Sequence, residues 1–120
     1  MIEITPGLLD NILAVTAHGT VTAEDYENVL LPAVAEVLKR HKKIRLLFRT
    51  AGDFSGYTAG AMWDDAKLGV RHITAFEKIA VVSDVPWLVQ ATKFFRFLLP
   101  CLVKIFGSNN MRDAEAWIRE

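Results

Sequence analysis

WLVQATKFFRFLLPCLVKIF, Trp87–Phe106, is either one long apolar helix or two elements, and the choice sets the architecture of the chain. Its length matches a membrane span. Lys93, Arg96 and Lys104 lie inside it, however, and Pro100 interrupts it. Each central cation costs about 2.5–3.5 kcal/mol on insertion scales, and Pro removes a helix hydrogen bond. The stretch therefore does not span. It divides at Pro100 into an amphipathic helix, Pro86 to Leu99, and a strand, Leu102–Phe106. Asp84 is the expected N-cap of that helix, and Pro86 falls in the first turn, where a missing N–H costs little. On a helical wheel Trp87, Leu88, Ala91, Phe94, Phe95, Leu98 and Leu99 fill an arc of roughly 140° at 100° per residue. Gln90, Thr92, Lys93 and Arg96 oppose it. Val89 and Phe97 break the pattern, lying among the cations.

Outward from this stretch, the same reading recurs. Ile44–Phe48 and Lys78–Val82 are short apolar runs suited to buried parallel strands. Ile2–Thr5, stopped by the turn Pro6-Gly7, and Ile12–His18, closed by Gly19, suit an antiparallel pair. Thr22 opens a helix, with Asp25 at the capping-box position. Val29, Leu30, Ala33, Val34, Val37 and Leu38 form its apolar stripe, Lys39 to Lys42 end it, and Pro32 predicts a kink or an offset start. A Gly-rich loop, AGDFSGYTAG, leads to a second helix over about 61–72. Gly107-Ser108-Asn109-Asn110 is a turn before a terminal helix, Met111–Ile118. The order β-β-α-β-α-β-α-β-α predicts an α/β layer fold in one domain, residues 1–120, with a mixed, mainly parallel sheet.

The totals bound the function classes. The chain has 120 residues, just over half of them apolar, and fourteen charges of each sign. Such a chain buries a core without disulfides or metal, and its balance gives no bulk attraction to nucleic acid. Residues 1 to 38 carry Glu3, Asp10, Glu24, Asp25, Glu27 and Glu36 with no Lys or Arg, whereas no acid occurs from Val85 to Arg112. Cys101 is the single cysteine, which fits a reducing compartment. Met1 leads directly into a strand with no signal-peptide pattern, so the expected location is cytoplasmic, with peripheral contact at the inner membrane face through the cationic helix.

Several strings in order resemble the SpoIIAA-like branch of the STAS superfamily. They are Asp25-Tyr26, Lys43-Ile44-Arg45-Leu46-Leu47, Asp53-Phe54 with Gly56-Tyr57, Trp63-Asp64-Asp65, His72, Phe76 to Val82, Trp87 and Ala114 to Ile118. That superfamily includes anti-sigma factor antagonists and the cytoplasmic domains of sulfate transporters. The resemblance implies a STAS/SpoIIAA-like fold, which is also similar to the lipid-carrying CRAL-TRIO fold. It implies shape rather than a reaction. In the antagonists a serine is phosphorylated in a loop ahead of the second helix. Ser55, in Asp53-Phe54-Ser55-Gly56, stands in the comparable loop, although Phe54 and Tyr57 depart from the antagonist pattern.

Several residues are candidate sites, and each also has a simpler structural role. Ser55 is a phosphorylation candidate or part of a loop whose glycines serve the backbone. Asp64, Asp65 and His72 suggest acid–base or metal chemistry, but Asp65 and His72 stand two turns apart, and a solvated helix start explains the carboxylates. His18 and His41 read as structural, and Cys101 as a small core residue. No triad, metal cluster or cofactor loop is present in the string, so neither an enzyme, a cofactor nor a metal is expected. The expected ligand is a nonpolar, lipid-like small molecule lined by Phe54, Trp63, Phe94, Phe95, Leu98 and Leu99. Val89, Lys93, Arg96 and Phe97 are expected to meet an anionic membrane or a partner, and a homodimer is the expected assembly. The rival expectation is a protein-interaction switch centred on Ser55.

Overall fold

Short runs of β-branched and aliphatic residues carry too little polar surface to stand alone, and here they pair into one five-stranded sheet. The computed structural model describes residues 1–5, 11–60, 75–96 and 101–120, with the backbone alone at Phe95. The strands are β1 (Ile2–Thr5), β2 (Ile12–Ala17), β4 (Ile44–Thr50), β6 (Phe76–Val82) and β7 (Leu102–Phe106), in the order β1-β2-β4-β6-β7. β1 is antiparallel to β2, and the other neighbours are parallel. Two short strands, β3 (Thr20–Val21) and β5 (Gly56–Tyr57), pair in parallel beside it.

The capping box at Thr22 forms as the sequence predicts. The Asp25 N–H donates to Thr22 Oγ1 at 3.3 Å, and the Thr22 N–H donates to Asp25 Oδ2 at 2.8 Å. It opens one turn, α1 (Ala23–Asp25), followed by a π-helical turn, Tyr26–Leu30, and then α2 (Leu31–Arg40). Pro32 stands in the first turn of α2, where it owes no hydrogen bond, so the expected irregularity becomes a change of helix register. α3 (Pro86–Phe95) links β6 to β7, and α4 (Met111–Arg119) follows the 3₁₀ turn Ser108–Asn110. The Pro6-Gly7 turn, the helix predicted over 61–72 and the Pro100 break lie outside the described residues.

In the five-stranded sheet β4, β6 and β7 are each added beside the preceding member in one direction, which places α2 and α3 on one face and leaves the other to α4. Leu13, Val15, Leu46 and Phe48 pack with Leu30, Val34, Val37 and Leu88 on the first face. Ile12, Ala14, Leu47, Ala80 and Val82 pack with Ala114 and Ile118 on the second. A bulge adjusts this alternation: Ile44 pairs with Phe76 but Arg45 pairs with Lys78. The extra residue, Glu77, sends Phe76 to the α2 side while Lys78 stays under α4. Two cations then hold the end of α4. Arg45 Nη1 donates to the Ile118 carbonyl at 2.8 Å, and Lys78 Nζ donates at 3.1 Å to the Trp117 carbonyl, which also accepts the Glu120 N–H at 3.2 Å.

Candidate functional site

A parallel sheet gathers the loops that follow its strands along one edge, and open α/β sheets bind ligands there. Here the carboxyl edge holds His18-Gly19 after β2, residues 51–55 after β4, residues 83–85 after β6 and residues 107–110 after β7. Main-chain bonds join these loops: the Ala51 N–H donates to the Ala17 carbonyl at 2.9 Å, Ser55 to Gly19 at 2.7 Å, and Ser83 to Phe106 at 3.0 Å. Deeper, the buried Thr50 hydroxyl donates to Ser83 Oγ at 2.8 Å, and the Val85 N–H donates to the same oxygen at 3.1 Å. Ser83 therefore ties the ends of β4 and β6 to the residue that begins α3.

A ladder of aromatic rings rises from the core to this edge. Tyr26 and Phe48 are buried, with ring centroids 6.4 and 6.5 Å from Tyr57. Tyr57 meets Phe54 edge-on at 5.5 Å and Trp87 edge-on at 5.8 Å, and Phe54 stacks on Trp87 at 6.2 Å. Trp87 keeps 47% of its surface exposed. The positive φ of Gly56, +132°, turns the chain between Ser55 and Tyr57 and so delivers the Tyr57 ring into this group. Of these rings only Phe54 was expected in the ligand wall; Trp87 was expected on the apolar arc of its helix, and Tyr57, Tyr26 and Phe48 were expected in neither place. The usable signal was positional: Phe54 and Trp87 each follow a parallel strand by a few residues.

α3 is turned relative to its expected wheel. Leu88 is buried, and Val89, Ala91 and Thr92 are half-buried, whereas Phe94 is 66% exposed. The inward face is thus rotated by roughly 70° at 100° per residue. Phe94, expected inside the arc, stands outside with Lys93 and Arg96, and Val89, expected among the cations, turns inward. The cause is Thr92: its hydroxyl donates to the Leu88 carbonyl at 2.8 Å, so its polarity is spent within the helix and it can face the sheet. Asp84 is also not the N-cap. Val85 holds that position, and Asp84 instead accepts the Ser108 N–H at 3.1 Å and the Ser108 hydroxyl. Those two bonds hold the Asp84 carboxyl below its ordinary range. Leu102, 62% exposed, adds a third large apolar group to the surface.

Ser55 is exposed, its hydroxyl 3.3 Å from the Asp53 carbonyl. His18 lies between Asp53, 3.3 Å from Nδ1, and Glu3, 3.6 Å from Nε2. Cys101 packs half-buried against the core, and burial pushes its thiol up, away from the reactive thiolate. Trp63, Asp64, Asp65, His72, Phe97, Leu98 and Leu99 lie outside the described residues, as does the side chain of Phe95. Among the described residues no three His, Cys, Asp or Glu gather as a metal site would need, and no helix is long and apolar enough to cross a membrane.

A family model described as SpoIIAA-like matches residues 12–119. A crystal structure of an uncharacterized protein from the DUF3478 family with a SpoIIAA-like fold, from Shewanella loihica PV-4, superposes with a TM-score of 0.78. It is 31% identical over 98% of this chain and 92% of its own. No curated protein matches.

Proposed function

This chain belongs to the SpoIIAA-like family, and from that premise we infer that it is a non-catalytic binding protein for a nonpolar, lipid-like molecule that also touches anionic membranes. The observation that carries this reading is the aromatic ladder, whose outermost ring, Trp87, faces solvent while its innermost rings belong to the core. Phe54, Tyr57 and Trp87 offer an apolar ligand continuous contact. Trp63, Phe95, Leu98 and Leu99 complete the proposed wall. Phe94 joins Lys93 and Arg96 on the outer face of α3, a combination suited to headgroup contact: apolar insertion with cationic attraction. Flotation with phosphatidylglycerol vesicles tests the contact, and native mass spectrometry of the purified protein reads both retained ligand and the proposed homodimer. Absence of lipid in both experiments overturns the reading.

A second reading has its own observation. The exposed Ser55 hydroxyl sits one residue from Phe54, so a phosphate there would place about −1.5 to −2 charges beside the ladder. A protein partner seated on the carboxyl edge would respond to it. Pull-downs with Ser55→Ala and Ser55→Asp separate the two, since binding of a nonpolar ligand predicts equal recoveries and an interaction switch predicts unequal ones.

A further inference from the structure

Four cations project from the strands on the α4 side of the sheet: Arg45 and Arg49 from β4, Lys78 from β6 and Lys104 from β7. Three are engaged. Arg45 pairs with Glu77 at 3.0 Å and reaches the Ile118 carbonyl, Lys78 reaches the Trp117 carbonyl, and Lys104 lies 5.3 Å from the Phe106 ring centroid. Arg49 is the exception. Strand alternation fixes its direction: Phe48 belongs to the cluster under α2 and Leu47 to the cluster under α4, so Arg49 points to the α4 side. It makes no hydrogen bond or ion pair among the described residues, and its Nε is closed off from solvent. Its two terminal nitrogens stay within reach of solvent, the residue as a whole being half-buried. In register, Thr16 of β2 and Val82 of β6 flank Arg49, and Glu3 of β1 stands beyond Thr16. Thr16 is buried, and its hydroxyl too has no partner among the described residues. Glu3 turns to His18 instead of Arg49, its Oε1 3.6 Å from Nε2. A guanidinium stripped of part of its water normally regains the loss from a hydrogen bond or an anion, and here the described residues supply neither.

We propose that Arg49, with the Thr16 hydroxyl, binds the carboxylate of a small organic acid on the α4 side of the sheet. Both residues stand next to last in their strands, at the carboxyl edge where open α/β sheets take ligands. The two terminal nitrogens form a planar fork that matches the two oxygens of a carboxylate, and partial burial spares the pair much of the competition from water. Glu3 limits the charge the site accepts. It lies two strand spacings from Arg49, about 10 Å, and repels any anion there. A phosphate near −2 meets about twice the repulsion that a carboxylate meets. The site lies across the sheet from the aromatic ladder, whose Phe48 faces α2, so it is independent of the nonpolar-ligand reading.

Heteronuclear NMR of the arginine Nε–H signals tests the proposal, with sodium acetate or sodium phosphate titrated at neutral pH and constant ionic strength. The expected result is a saturable shift of the Arg49 signal, with acetate binding about twofold to threefold more tightly than phosphate. Arg49→Gln should weaken acetate binding, read at the Thr16 amide, by about tenfold or more. Glu3→Gln should tighten it about twofold, an increase that a merely structural Glu3 would not produce. Circular dichroism checks the fold of each variant, and the exposed Glu3 carries the test if Arg49→Gln misfolds. Absence of a saturable shift means that water alone meets Arg49 and overturns the proposal. So does acetate binding indifferent to Arg49→Gln or to Glu3→Gln. Phosphate binding as tightly as acetate overturns the carboxylate assignment. All of these outcomes leave the nonpolar-ligand reading standing.

Discussion

The hydrogen bond between Thr50 and Ser83 can be broken from either end, and the two breaks are unequal. Thr50→Val replaces the donor with a methyl of similar shape. Ser83 Oγ keeps the Val85 N–H, so the loss is one ordinary hydrogen bond, about 0.5–1.5 kcal/mol. Ser83→Ala removes the shared acceptor. It strands the Thr50 hydroxyl, 9% exposed, and the Val85 N–H together, at about 1–3 kcal/mol for each buried donor and less for the half-buried Val85. A total of about 2–4 kcal/mol follows, or roughly 6–20 °C in Tm for a chain this long. In the double variant the orphaned Thr50 hydroxyl no longer exists, so adding Thr50→Val to Ser83→Ala costs nothing further or recovers stability. Urea unfolding of the four proteins closes the cycle, and an unchanged m-value shows that the midpoints report stability. Single-variant losses that add to within about 0.5 kcal/mol would mean that the two hydroxyls are not coupled through this bond. Hydrogen exchange gives a second readout: Ser83→Ala should speed exchange at the start of α3, which Thr50→Val should leave alone.

Three further outcomes are expected. Burial pushes the Asp25 carboxyl up, but the Thr22 N–H, the Met1 ammonium and the Thr22 hydroxyl outweigh it and hold the group below its ordinary value. Asp25→Asn should therefore cost about 1–2 kcal/mol above about pH 5, where the unfolded carboxyl is also ionised. The gap in Tm between wild type and variant should close as pH falls past 3.8 and through the lower folded value; a gap constant with pH contradicts the assignment. Gly56→Ala should cost about 1–3 kcal/mol through its φ of +132°, whereas Gly52→Ala, with open space around its Cβ, should stay within about 1 kcal/mol of wild type; thermal melts that reverse this order count against the backbone argument. Lys78→Met keeps the apolar stem but strips a charged donor from the Trp117 carbonyl, at about 1.5–3 kcal/mol, and should speed hydrogen exchange in the last turn of α4. Unchanged exchange there would mean that the last turn does not depend on this cation.

The sheet was legible because its strands are short apolar runs with turn residues at their ends, and because Thr22 and Asp25 write their capping box in the chain itself. The mainly parallel sheet with an antiparallel first strand followed from element order and the rule on crossovers, whereas the order of the strands was not written in the chain. The ladder was not legible. Its rings come from the π turn, β4, the loop after β4, β5 and α3, and no local period links position 26 to position 87. β5 is two residues long and pairs only with β3, so it offers no alternation to read. The rotation of α3 escaped for a different reason. A wheel scores Thr92 as polar, and only the bond to the Leu88 carbonyl makes it behave as a small apolar group. Asp84 was misassigned similarly: the N-cap pattern was present, but Ser108, distant in sequence, offered two donors to the same carboxylate.

The clasp on α4 has a kinetic consequence. Arg45 and Lys78 reach carbonyls 73 and 39 residues away, from strands that become neighbours only when β4 and β6 have paired. Contacts of that sequence separation are slow to find, and this helix meets both donors only after the strands have aligned. Docking of α4 should then come after the rate-limiting step. In chevron measurements Lys78→Met should leave refolding near the wild-type rate and put its whole effect into faster unfolding. A matching fall in the refolding rate would place the helix within the folding nucleus. As built, the terminal helix is a latch: it governs how long the native state lasts, while the strands govern how fast it forms.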